Sequence, residues 1–314
     1  MREVEPRPAG AEPLPVDVPT TIAAVVPEMK ARSPREIAWR RFKRHKLAVV
    51  GAVVLILVML LALFAPLIAR YSYAHIDLSQ SLLGPGGKHW FGTDNIGRDE
   101  FARVLYGGRI SLIVGLSVAL ASGLIGTVIG AVAGYYGGWV DNVLMRITDI
   151  FLSIPFLVVL ILVVSLFAGS VFDIVLVLSL FFWMPNARIV RGVVLSLKEK
   201  EFVEAARSLG ASNRRIIISH ILPNTIGPII VIVTLGVAQA IITESALSFL
   251  GFGVQPPVPT WGNLLAGARQ FTLIAPWMIW FPGLFILLTV LSVNIVGDGL
   301  RDALDPHQAL GVRT

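Results

Sequence analysis

The chain has 314 residues, 55% of them hydrophobic and 15% charged, with a mean hydropathy of +0.77 and a formal charge of +6. Ordinary soluble domains are about 45–50% apolar and about 25% charged, so this composition excludes a disordered protein, a coiled coil and most soluble enzymes of this length. It points to a polytopic membrane protein, and the lack of any cysteine excludes disulfides, thiolate catalysis and cysteine-ligated metals.

Residues 1–34 scatter Pro6, Pro8, Pro13, Pro15, Pro19, Pro27 and Pro34 among small and charged residues. Such a stretch cannot bury a core and is expected to be a disordered tail. It has no apolar h-region, so it does not read as a secretory signal. The next unit, 35–69, opens with a basic lead-in containing Trp39 and Phe42, suited to a membrane surface. It ends in Leu47–Ala69, a run of 23 residues without a charge. A helix of about 20 apolar residues crosses the hydrocarbon core.

Five further spans are predicted within a core of residues 110–300: Ile110–Gly134, Ile147–Phe167, Val171–Val194, Thr225–Thr243 and Ala275–Val296. The tight turn at Ala168–Ser170 also allows a re-entrant hairpin of the third and fourth. Small residues recur every fourth place in the second span, as Gly115, Ala119 and Gly123 on one row and Ser122, Gly126, Gly130 and Gly134 on another. Such rows allow close helix approach in lipid. They suit packing within the chain or against a partner. With the amino terminus inside, 20 of the 26 Lys and Arg fall on inner segments. The positive-inside rule therefore places both termini in the cytoplasm. Trp277 and Trp280 then belong to the outer interface and Trp139 to the inner one.

Three loops are long, and long loops in compact proteins usually carry function. The extracytoplasmic loop 70–109 contains Thr93 and Asp94, a possible cap for a helix to Arg109 with Asp99 and Glu100 in its first turn. It suits either a structural cap or a surface for another protein. A second outer loop covers Glu244–Ile274. The inner loop, within 192–224, places Phe202, Ala205, Ala206 and Leu209 on one helical stripe, with Gly210 as the stop. Ser212 is the expected N-cap of a second helix, Asn213–Leu222, stopped by Pro223. The first helix suits a cap on the bundle or a segment seated in a groove of a partner. A tail, 301–314, completes the chain.

The segment Glu204-Ala205-Ala206-x3-Gly210, followed by Ile221-Leu222-Pro223, resembles the EAA loop of the membrane subunits of bacterial ABC importers. His220 stands where that pattern has Ile. Four more segments resemble the second permease subunit of dipeptide, oligopeptide and nickel importers. They are Gly92-Thr-Asp94-x2-Gly97-Arg98-Asp99, Asp149-Ile-Phe-Leu-Ser-Ile-Pro155, Glu244-Ser-Ala-Leu-Ser-Phe-Leu-Gly251 and Gly297-Asp298-Gly-Leu-Arg301-Asp302-Ala-Leu-Asp305-Pro306. The resemblance covers about residues 35–310 by this motif order.

It implies an all-α membrane protein of six transmembrane helices with the type I importer permease fold, in a bacterial or archaeal cytoplasmic membrane. It implies a homologous permease partner, two cytoplasmic ATPase subunits that bind ATP and Mg²⁺, and an extracytoplasmic solute-binding protein. The family's coupling role falls on Phe202, Glu204, Ala205, Ala206, Leu209 and Gly210. Thr93, Asp94, Arg98 and Asp99 are candidates for docking the binding protein. Ionisable and polar residues in spans mark pathways by default, which makes Asp149, Asn186, Gln239 and Glu244 candidates for the translocation path.

No catalytic, cofactor or metal site is read here. Lys88 follows a glycine-rich turn, but Leu82 occupies the first glycine position of a phosphate loop and His89 replaces its Ser/Thr. The net charge is accounted for by membrane orientation, leaving no case for nucleic acid. The alternative function is a secondary transporter or channel without ATPases, which predicts internal repeats and midplane charges.

Overall fold

The computed structural model describes residues 34–167 and 169–304. The expected tails, with Asp305 and Pro306, lie outside them apart from Pro34 and residues 301–304. Among the described residues the architecture is all-helical, with no strand.

Helix α1, Pro34–Arg44, turns Phe42 into a contact with Ala48 and Ala303 while Trp39 stays exposed beneath Lys43. This is the amphipathic lead-in expected. Helix α2, Lys46–Leu63, is capped by His45, whose Nδ1 accepts from the Ala48 N–H at 3.0 Å. The expected first span breaks at Phe64, and a short α3, Ala65–Ile68, follows. Pro66 lies in its first turn, where the missing N–H costs least.

Helix α4, Glu100–Tyr136, has 37 residues, about 55 Å by helical rise. That exceeds a hydrocarbon core of about 30 Å, so one end projects beyond it. The expected loop 70–109 thus ends ten residues early. The start is fixed by Asp99, whose Oδ1 accepts the Ala102 N–H at 2.7 Å; Thr93 and Asp94 do not cap it.

The expected third span is two helices, α5 (Gly138–Ser153) and α6 (Phe156–Val164), bent by 87°. Pro155 has no N–H and drives Ile154 extended, with ψ at 142°. The pair still traverses the bundle. It leaves the end of α4 and reaches Gly169, whose carbonyl accepts the Gln255 N–H at 3.1 Å. Helix α7, Val171–Lys198, begins in a Ser170/Asp173 capping box.

Helices α8 (Glu201–Ser208) and α9 (Asn213–Arg215) lie beyond the α7 end. Here we call that side inner. A π turn, Ile216–Ile221, then feeds α10, Leu222–Phe249. Pro223 therefore opens the span instead of stopping a helix. The Leu222 N–H reaches the Ile217 carbonyl, five residues back, and the wider ring admits the proline at the first turn. Helix α11, Trp261–Ala268, sits in the second outer loop, and α12, Trp277–Leu304, returns inward. Five helices are long and apolar enough to cross a membrane, and counting the bent α5–α6 pair as one span brings the candidates to six.

The bundle is held by small residues on α4. A Cβ on Gly130 would lie 2.5 Å from the Ala187 carbonyl of α7, and one on Gly123 would lie 2.5 Å from Val233 of α10. The two glycine rows therefore serve packing within this chain. Val114, Val118, Leu160, Ile174, Leu178 and Leu247 fill the core between these helices. Trp139 and Trp280 are exposed. Trp277 is partly covered, and its Nε1 donates to the Thr93 carbonyl at 3.1 Å.

Candidate functional site

The inner corner is built around α8. Val203 and Ala206, one turn apart, are buried with Tyr135, Val190, Val194 and Ile216. Phe202, Ala205 and Leu209 lie on the exposed side, Leu209 at 88%. The expected single stripe is thus two faces, and Ala206 belongs to the one that seats the helix. Glu204 is exposed.

Two bonds end the helix, from Gly210 N–H to the Arg207 carbonyl at 3.0 Å and from Ala211 N–H to the Ala206 carbonyl at 3.1 Å. These form a Schellman motif. Gly210 has φ +78°, and a Cβ placed on it would meet nothing within 4 Å, so its backbone conformation is what calls for glycine there. Ser212 caps α9 as expected, accepting the Arg215 N–H at 3.4 Å. Tyr135 ties this corner to α4 by donating to Asn213 at 2.9 Å. His220 lies half-buried inside the π turn.

The outer cap inverts this arrangement. Asp94 Oδ1 accepts the N–H groups of Ile96 at 3.0 Å and Arg98 at 2.8 Å. Its Oδ2 accepts from Arg98 Nε at 2.7 Å and from the buried Arg103 of α4. Thr93 Oγ1 accepts the Leu83 N–H at 2.8 Å and donates to the Gln80 carbonyl. His89 bridges Asp99 Oδ2 at 2.8 Å and Gln80 Oε1 at 2.9 Å, with Tyr71 stacked on its ring. Nearby, hydrogen bonds from Ser79 and Gln80 hold the Asp77 carboxyl below its ordinary range.

Thr93, Asp94 and Asp99 are therefore interior, and Arg98 is partly exposed. Three of the four docking candidates stand behind the surface. The spacing gave helix-capping residue types but not their long-range partners. Arg103 lies buried against Asp94, while Arg109 is exposed.

The four path candidates separate. Glu244 is fully buried, accepting from Ser248 at 2.7 Å and from Ser111 and Ser245 at 3.4 Å. Ser111 also accepts the Trp261 N–H at 3.2 Å. Glu244 is thus an internal tie among α4, α10 and α11, enclosed by its own chain. Asn186 faces α4, donating to Ser122 at 3.5 Å.

Gln239 is exposed and lines a cavity of about 270 Å³ with Phe151, Phe156, Phe181, Phe182 and Pro185. Asp149 pairs with Arg188, a partner not anticipated. A second unanticipated pair joins Asp141 to Arg191 through both guanidinium branches. Both arginines were visible in the sequence, but their acids lie 39 and 50 residues away.

Comparison with known proteins fits this arrangement. Residues 126–309 match the family described as binding-protein-dependent transport system inner membrane component. Residues 33–85 match the N-terminal transmembrane domain of oligopeptide transport permease C. The dipeptide transport system permease protein DppC of Alkalihalophilus pseudofirmus is 46% identical over 276 residues, covering 88% of this chain and 91% of that protein. The oligopeptide transport system permease protein OppC of Bacillus subtilis is 43% identical, covering 86% and 88%. The glutathione transport system permease protein GsiD of Escherichia coli is 44% identical, covering 88% and 92%. This chain belongs to the binding-protein-dependent inner membrane components, the multi-pass permeases of ABC importers.

Proposed function

We propose that this permease carries short peptides, that it forms the path with a homologous permease, and that two cytoplasmic ATPases drive it through α8. The observation that carries the coupling reading is the division of α8 into two faces. Val203 and Ala206 hold the helix to the bundle, while Phe202, Ala205 and Leu209 present an apolar face. An amphipathic helix of that kind fits a groove on a partner through apolar anchors at i, i+3 and i+7. The Schellman end at Gly210 fixes the angle between this helix and α9. Motion of a partner gripping α8 would therefore reach the base of α10.

The excess of Lys and Arg on inner segments supports a cytoplasmic position for α8 and both termini. The peptide reading is supported by relatives named for dipeptide, oligopeptide and glutathione transport, since all three cargoes contain peptide-type amide bonds. In this reading ATP and Mg²⁺ bind the ATPase subunits. Closure of those subunits moves α8, the spans open outward to a peptide delivered by an extracytoplasmic binding protein, and hydrolysis restores the inward-facing state.

The test is Leu209→Asp and Phe202→Asp in the assembled importer. Both should keep the chain in the membrane yet lower ATPase co-purification or ATP-driven peptide uptake at least tenfold. Unchanged association together with unchanged uptake would refute the coupling role. Peptide uptake driven by a proton gradient in vesicles without ATPases would instead favour a secondary transporter.

A further inference from the structure

Helices α5 and α7 are joined by two acid–arginine pairs. The innermost, Asp141–Arg191, is largely enclosed, with the acid 11% exposed. The other, Asp149–Arg188, is open, with side chains 46% and 47% exposed. Arg188 stands ten residues from Lys198 at the end of α7, about 15 Å along a helix about 42 Å long. With a hydrocarbon core of about 30 Å centred on that helix, the pair falls inside it. Charges at such depth face a bundle interior or a water-filled cavity, because contact with lipid tails is costly. The described residues leave about half of each of these side chains uncovered.

The surroundings indicate which kind of cover fits. Leu152, one turn beyond Asp149, and Pro185, one turn before Arg188, line the cavity that also contains Gln239 and four phenylalanines. Ile154 and Phe156, which flank the 87° break between α5 and α6, line the same cavity. Aromatic rings and an exposed amide thus line this cavity, and the pair of opposite charges stands one helical turn from its wall. A short zwitterionic peptide presents the complementary set of side chains, amide bonds and charged termini.

We propose that Asp149, Arg188 and Gln239 line the water-filled translocation path, with the ion pair as its charged inner rim. The enclosed Asp141–Arg191 pair anchors α5 one step further in. The proposal rests on membership of the permease family and is independent of the role given to α8.

The lack of native cysteines in this chain makes water access directly measurable. Asp149→Cys and Gln239→Cys are each introduced into the full importer with its permease and ATPase partners. A cationic, water-soluble methanethiosulfonate is applied, and this chain is isolated for mass measurement. Both positions should be modified at least tenfold faster than Val177→Cys, which is buried in the core. Gln239→Cys leaves the ion pair intact, so it reports even if Asp149→Cys folds poorly. Modification of Gln239→Cys at the Val177→Cys rate, or only by a lipid-soluble maleimide, would overturn the proposal.

In addition, Arg188→Gln should lower dialanine uptake at least fivefold without loss of either partner on co-purification. Unchanged uptake would overturn the role of the ion pair. Absence of dialanine uptake by the unaltered importer would count against the peptide reading alone, and labelling would still decide whether these residues line the path.

Discussion

The outer cap and the inner corner carry motifs of similar density and use them in opposite ways. In the cap, Asp94, Asp99, Glu100 and Arg103 are all buried. Their hydrogen bonds close a loop onto the head of α4, and Glu100 leaves one carboxylate oxygen without a partner among the described residues. In the inner corner, Glu204, Ala205 and Gly210 are exposed, and the helix is held by Val203, which precedes the motif, and by Ala206, its second alanine. A polar motif turned inward builds the fold. An apolar face turned outward leaves the fold's own contacts untouched.

Substitutions sharpen this contrast, and the largest effect on stability is expected in the cap. Asp94→Ala strands the buried Arg103 without its acceptor. Breaking one side of a buried pair costs about 3–5 kcal/mol, which thermal unfolding of the purified importer should register as a clear loss. A melting temperature equal to that of the unaltered chain would show that the cap is not held this way.

Gly130→Val comes next. Its Cβ would overlap the Ala187 carbonyl, and overpacking costs about 1–3 kcal/mol, read in the same melt. Gly210→Ala forces a side chain into left-handed backbone, for roughly 1–2 kcal/mol. Substitution by Asn should be milder at that φ. The smallest change in stability belongs to Phe202→Ser and Leu209→Ser, within about 0.5 kcal/mol for exposed sites. Should either variant unfold the protein, α8 would be part of the core and the contrast between the two regions would fail.

The spans were legible because lipid imposes a length and an apolar composition on every crossing. Six crossings follow from that rule even though Pro155 divides the third. The glycine corner was legible too, since Gly210 and Ser212 act on their immediate neighbours. What could not be read depends on distant partners. Asp94 meets Arg103 across a loop, Glu244 meets Ser111 from another helix, and Asp141 meets Arg191 fifty residues away. Helical spacing placed Phe202, Ala205, Ala206 and Leu209 together, but which side the bundle covers is decided by Tyr135, Val190 and Ile216.

The π turn at Ile216–Ile221 has a mechanical consequence. Asn213–Phe249 is an uninterrupted rod of 37 residues, about 55 Å long by helical rise. Its inner tip is bolted to α4 by Tyr135 and Asn213, and Glu244 near its outer end is fastened to Ser111. Between these two fixings the rod carries that π turn and, inside α10, Pro228, whose ring removes a helical hydrogen bond. A twist applied at the inner tip would run along this shaft, with its give shared between the π turn and Pro228.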